Sequence, residues 1–170
     1  MLILLRFARL ISLLLLIIGF LPFQIFALIL KLSLAKKIPV YFHRSVSKVL
    51  NLDIKIQGTL TNNQPILFVS NHSSWIDIVV LSSLAPVSFI AKSEIASWLG
   101  INYLAKLQGT VFVVRKREEA GRSRSAIAER LIEGDNIVLF AEGTAADGNN
   151  ILPFKSSLFS VAEIDVDGNL

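Results

Sequence analysis

The hydrophobic pattern divides the chain near residue 50. Residues 10–30 form a run without a single charge, in which only Ser12 and Gln24 are clearly polar. About 20 such residues span a bilayer as a helix. Gly19 and Pro22 interrupt the run, and proline kinks or ends a helix. A straight transmembrane helix and a re-entrant hairpin in one leaflet are therefore both open readings. A secretory signal is the competing one, with Ser33-Leu34-Ala35 as its apparent cleavage site. Against it, the apolar stretch exceeds the roughly 7–15 residues of a signal's apolar region. Residues 36–49 mix lysine, arginine and apolar side chains, and read as an interfacial helix or linker. His43, between Phe42 and Arg44, reads as a surface residue at headgroup level rather than a ligand.

Beyond residue 52 short apolar runs alternate with polar turns. Residues 53–57 alternate apolar and polar, the period of a half-buried strand. Strands are expected over 65–69, 86–92, 110–115 and 136–140, each rich in β-branched or aromatic residues. A helix is expected over 94–107, with Ser93 as its cap and Gly109 beyond its end. A second, amphipathic one is expected over 118–133, turning Ala126, Ile127 and Leu131 inward and ending at Gly134-Asp135. Strands alternating with helices specify an α/β domain with a largely buried sheet. The expected division is a membrane-anchoring segment and basic linker over 1–49, then an α/β domain over 50–170.

Charge sharpens this division. Of 17 basic residues seven lie in the first fifty positions, where there is no acid; the remaining ten face all 13 acidic residues, a net of −3. The basic pI near 9.6 thus belongs to the N-terminus. That points to a membrane-facing segment and away from a nucleic-acid-binding domain. Lys31, Lys36, Lys37 and Arg44 make the downstream flank of the apolar run the more positive one, which predicts that the α/β domain faces the cytoplasm. The chain has no cysteine and two histidines, so disulfides, thiolate catalysis and cysteine–zinc sites are excluded, and no metal site is expected.

Candidate chemistry lies where strands end. The run over 65–70 leads into Asn71-His72-Ser73-Ser74-Trp75-Ile76-Asp77. On a continuous helix residues five apart point about 140° away from each other, and on a strand they face opposite sides of the sheet. His72 and Asp77 can meet only if the chain bends between them, with His72 leaving a strand and Asp77 entering a helix. Ser73 and Ser74 suit such a bend, since hydroxyls cap helix starts. A carboxylate on one imidazole nitrogen holds the tautomer that leaves the other nitrogen to take a proton. The alternative is an ordinary strand-loop-helix turn whose polar residues satisfy backbone groups. Three more strand ends add candidates, because open α/β sheets place ligands beyond the carboxyl ends of their strands. Lys92 offers a point charge, Arg115 a planar guanidinium for phosphate or carboxylate, and Glu142-Gly143-Thr144 a carboxylate, a flexible backbone donor and a hydroxyl.

Taken together these residues resemble the glycerolipid acyltransferases of the lysophosphatidate acyltransferase type. That family carries Asn-His-x4-Asp, Gly-x-x-Phe-x-x-Arg and Pro-Glu-Gly-Thr-Arg blocks in this order. Here the first is complete at Asn71 to Asp77 and the second at Gly109, Phe112 and Arg115. The third reads Ala141-Glu142-Gly143-Thr144-Ala145. The resemblance implies a mixed β-sheet flanked by helices, of the glycerol-3-phosphate acyltransferase kind, behind an N-terminal membrane helix or hairpin. It implies His72 as general base, Asp77 as its orienting group, and Lys92, Arg115, Glu142, Gly143 and Thr144 as acceptor-binding residues. The acyl donor would be acyl-CoA or acyl carrier protein, the acceptor a lysolipid in the bilayer, with no cofactor. A serine hydrolase fits poorly, since no Gly-x-Ser-x-Gly elbow is present. Two departures stand out. Ala145 replaces an arginine that commonly contacts phosphate, while the following run to Lys155 resembles lyso-ornithine lipid acyltransferases, whose acceptor is zwitterionic; Lys155 is a candidate replacement for the missing charge. The chain also stops at Leu170, in a polar stretch where the family continues, as expected of a truncated copy.

Overall fold

The structure, a computed structural model, describes residues 2–61, 65–114, 120–156 and 159. Its chain divides into two compact units. One comprises Met1–Leu60 and Trp75–Pro86, the other Thr61–Ser74 and Val87–Leu170. The helix after the histidine block is grouped with the N-terminal helices.

The helical unit contains α1 (Leu2–Ile29), α2 (Ile38–Leu50) and α3 (Ile76–Leu84), with a 3₁₀ turn over Ser33–Lys36. The apolar run is one helix continuing through Pro22. At its C-terminal end Gln24 Nε2 donates to the carbonyl of Ala35, 3.1 Å away. Phe20 meets Phe42 of α2 edge-on, with ring centroids 5.7 Å apart. Residues 36–49 are mostly helix rather than linker, because α2 has an apolar face at helical spacing: Ile38, Val40, His43 and Val46 are buried along it. His43 thus turns inward, edge-on to Phe42 at 5.0 Å, which corrects its reading as a surface residue. Asn51, in the left-handed conformation that asparagine tolerates, ends α2. Arg44 donates from Nε to the carbonyl of Ser83 at 2.8 Å. A cation on the last carbonyls of α3 satisfies an orphan acceptor and complements the helix dipole.

The sheet unit holds β1 (Leu67–Ser70), β2 (Val87–Lys92), β3 (Val111–Val113) and β4 (Asn136–Phe140) in the order β1-β4-β2-β3. All three described pairings are parallel. The sheet expected to be mixed is parallel among the described strands, because helical segments separate successive strands and carry the chain back before each one. α4 (Ile101–Leu107) lies between β2 and β3, and α5 (Ala120–Ile132) between β3 and β4. β4 is interior and Ile137, Val138 and Leu139 are almost wholly buried, as a strand covered on both faces must be. Ile127 of α5 packs with Val111, Val113 and Ile137, and Ala126 and Leu131 close the cluster, as the amphipathic pattern predicts.

Two expected elements differ. Residues 53–57 form no strand despite their alternation; Ile56 is exposed, and pairing rather than period makes a strand. The helix over 94–107 is split into a 3₁₀ turn at Ser93–Ser97 and α4, because Gly100 sits at φ 82°, outside helical space. Ser93 is not a cap, as Lys92 stands at the start of the 3₁₀ turn. The polar stretch 163–169 lies outside the described residues.

One polar tie crosses the sheet unit. The Arg130 guanidinium on α5 pairs with the buried Asp135 carboxylate at the head of β4 and reaches the Ser88 hydroxyl on β2 at 3.4 Å. Gly109, at φ 76°, passes directly beneath: a β-carbon there would sit 2.7 Å from Arg130 Nη2 and 3.0 Å from Ser88 Oγ. Gly109→Ala is therefore expected to cost about 1–2 kcal/mol from the left-handed backbone alone, with more from displacing the guanidinium. Chemical denaturation measures it, and an unchanged midpoint would refute this account of the glycine.

Candidate active site

Because the four described strands run parallel, their carboxyl ends share one edge of the sheet, where ligands bind in open α/β folds. Ser70 is level with Phe140 in the β1–β4 register. Two residues further on stand His72 and Glu142, so a register set by backbone pairing delivers two blocks, seventy residues apart, to the same place.

His72 is half-buried and held on several sides. Its backbone N–H donates to Glu142 Oε2 at 3.0 Å. Its carbonyl accepts the Ala146 N–H at 2.7 Å. Its imidazole stacks on Phe140, with centroids 4.0 Å apart and planes 19° from parallel. Phe140 in turn stacks on Phe89 of β2 at 5.8 Å, which backs the ring with the sheet interior. Glu142 itself is 1% exposed, and its other oxygen accepts the N–H of Leu152 at 2.9 Å. Gly143 is buried at φ 71°, turning the chain after β4, while Thr144 and Ala145 are exposed.

The segment after Ala145 folds back along this edge. Asn149 closes a tight turn by donating its backbone N–H to Asp147 Oδ1 at 2.9 Å and its side-chain amide to Oδ2 at 3.3 Å. Those two hydrogen bonds, the backbone one foremost, hold the Asp147 carboxyl below its usual range. Gly148 in this turn lies against Ser73; a β-carbon on it would stand 3.7 Å from that of Ser73. The N–H of Lys155 donates to the carbonyl of Ala141 at 2.9 Å, which fixes the main chain of Lys155 beside the end of β4.

The remaining expected residues are distributed as follows. Lys92 closes β2, paired in register with Val113. Gly109 lies just before β3 and Phe112 in its middle, whereas Arg115 lies outside the described residues. Asp77 belongs to the helical unit, in the first turn of α3, where a carboxylate complements the positive end of the helix dipole. Residues 71–73, which follow β1, are irregular, with a bend at Ser74 and a turn at Trp75. Trp75 rather than either serine is the N-cap of α3, and it makes no side-chain capping bond. Phe140, Ala146 and Leu152 carry no signal of their own in the sequence. An aromatic closing a buried strand is an ordinary core pattern, and the other two contribute only backbone N–H groups. Among the described residues no group of three or more His, Asp or Glu side chains stands together as a metal site.

The arrangement is that of a parallel α/β domain with a histidine and a buried carboxylate at the carboxyl edge of its sheet. A solved relative shares the fold. The 1-acyl-sn-glycerophosphate (LPA) acyltransferase PlsC from Thermotoga maritima superposes with a TM-score of 0.62 at 25% identity, covering 75% of this chain and 52% of that one. The Acyltransferase family model matches residues 51–166, and the chain belongs to that family. A lyso-ornithine lipid O-acyltransferase from Brucella abortus is 50% identical over 142 residues, 83% of this chain and 53% of that protein. Its counterpart from Rhizobium meliloti is 43% identical over 142 residues, 83% of this chain and 49% of its own length. A 1-acyl-sn-glycerol-3-phosphate acyltransferase from Neisseria gonorrhoeae is 40% identical over 98 residues, 57% and 38% of the two chains. The chain spans about half the length of the curated relatives it matches.

If Phe140 sets the plane of the His72 ring, Phe140→Leu removes the stacking face while leaving an apolar side chain in β4. The expected loss of stability is about 1–2 kcal/mol. The His72 ring protons, shielded by the stacked phenyl group, should move downfield in the proton NMR spectrum. Unmoved resonances would show that the stack does not persist in solution.

Proposed function

We propose that this protein is a membrane-bound O-acyltransferase that transfers an acyl chain from a thioester to the hydroxyl of a lysolipid, with lyso-ornithine lipid as the acceptor. The observation that carries this reading is the 50% identity, over 83% of the chain, to a protein named for that reaction. Ala145 agrees with it, since an alanine in the third block supplies no cation for a phosphate monoester. In this reading His72 removes the proton of the acceptor hydroxyl, and Asp77 holds the imidazole tautomer that can receive it. The hydroxyl oxygen attacks the thioester carbonyl of acyl-CoA or acyl carrier protein. The carbon–sulfur bond breaks, and the proton held by His72 passes to the departing thiolate. An ester and a free thiol result, with no acyl-enzyme and no added cofactor. A well-placed base of this kind contributes about 10²–10⁴-fold to the rate. Lys92, Arg115, Thr144 and Lys155 are the residues assigned to the acceptor headgroup, with Gly143 turning the chain that presents Thr144.

The test is turnover by protein in detergent or vesicles, with an acyl thioester and either lyso-ornithine lipid or lysophosphatidate. Lyso-ornithine lipid should be the better acceptor, and His72→Ala should lose about 10²-fold or more. A preference for lysophosphatidate overturns the acceptor assignment, and full activity in His72→Ala overturns the base.

The bilayer location rests on α1. It is long and apolar enough to cross a membrane by length and composition, and only 11% of its most apolar window is buried within the protein. Ile3, Leu4, Phe7, Leu10 and Leu14 all point outward. Apolar surface on this scale is stable in hydrocarbon rather than water. The basic residues after it favour a cytoplasmic sheet unit. The cysteine-free sequence makes this testable: a single cysteine at Lys55, an exposed position, should resist a membrane-impermeant maleimide in intact bacteria and react once the membrane is opened. Labelling of intact cells would reverse the orientation.

A further inference from the structure

Glu142 stands in the third block, where the family resemblance makes it an acceptor-site residue, yet its surroundings suit another task. The side chain is 1% exposed. One oxygen accepts the N–H of His72 and the other the N–H of Leu152, so the two ends of the carboxylate are committed to partners seventy and ten residues away in the chain. Its neighbours complete the hold on the same histidine. Phe140, two residues earlier, supplies the face on which the imidazole lies, and Ala146, four residues later, donates to the His72 carbonyl. The strand end and the turn that follows it therefore grip the ring, the amide and the carbonyl of one residue.

We propose that Glu142 is the positioning residue for His72, acting on its main chain from beneath the site rather than contacting the acceptor lipid. The proposal rests on the reading of His72 as the base, and it moves Glu142 out of the headgroup-binding set while leaving the exposed Thr144 in it. The physical grounds are charge and burial. Hydrogen bonds to an ionised carboxylate are roughly twice as strong as neutral ones. A buried carboxylate that lost one of them would carry an uncompensated charge, so the loop cannot drift without a steep penalty. A rigid loop matters because a reacting group displaced by about 1 Å can lose about 10²-fold in rate.

Glu142→Gln keeps the shape but sets an amide NH₂ against a backbone N–H; Glu142→Asp keeps the charge but is too short to bridge both donors. Both are expected to lower kcat for lysolipid acylation by about 10²-fold and to leave KM for the lysolipid within about twofold, the signature of misplaced machinery rather than lost binding. A rise in KM at unchanged kcat would make Glu142 an acceptor ligand and overturn the proposal. Hydrogen exchange supplies a readout independent of turnover. In the unmodified protein the His72 and Leu152 amides, both in loops, should be protected; in Glu142→Gln that protection should fall while Val138 and Leu139 in β4 keep theirs. Rapid exchange at His72 and Leu152 in the unmodified protein refutes the clamp even if no variant folds. Full activity in His72→Ala would instead bring down the base assignment, with the clamp judged by exchange alone.

Discussion

A carboxylate buried to 1% exposure and satisfied by two backbone N–H groups constrains the carboxyl edge of the sheet unit more than any other contact described there. Leaving such a group without partners would cost several kcal/mol. The loop after β1 and the segment near Leu152 must therefore come to Glu142, and with them come His72 and the fold-back that ends at Lys155. The β1–β4 register makes this possible, since it sets Ser70 level with Phe140.

β4 carries a buried carboxylate beyond each end. Asp135 precedes it and is met by the Arg130 guanidinium; Glu142 follows it and is met by main-chain donors. Between them lie Ile137, Val138 and Leu139, which make the strand an anchor within the core. The two compensations suit different tasks. An arginine reaching from α5 to Ser88, above Gly109, ties helix, strand and turn into a rigid body. Backbone donors at the other end tie two loops to the strand end through their main chains.

The helical unit solves a different problem. α1 presents apolar side chains outward along most of its length, while its C-terminal part meets α2 through Phe20 and the 3₁₀ turn at Ala35 through Gln24. Arg44, which in composition is one more positive charge after the apolar run, is engaged with the terminal carbonyl region of α3. A residue counted toward membrane orientation thus has a second task inside the protein.

Much of this was readable from residue order alone. Apolar run length identified α1, continuous apolar runs located β1, β2 and β4, and helical spacing turned Ala126, Ile127 and Leu131 of α5 inward. These are local properties, set by the period of side-chain direction along a helix or strand. The spacing of the three blocks likewise identified the family. The rest depended on partners distant in sequence. Alternation at 53–57 made no strand because period does not supply a neighbour to pair with. His43 turned inward because α2 is packed along the face that carries it. Glu142 reads in sequence as a side chain open to a ligand; only the pairing of β1 with β4 gives it His72, since a hydrogen bond between residues seventy positions apart exists only after the sheet has assembled, and only the fold-back after Ala145 gives it Leu152.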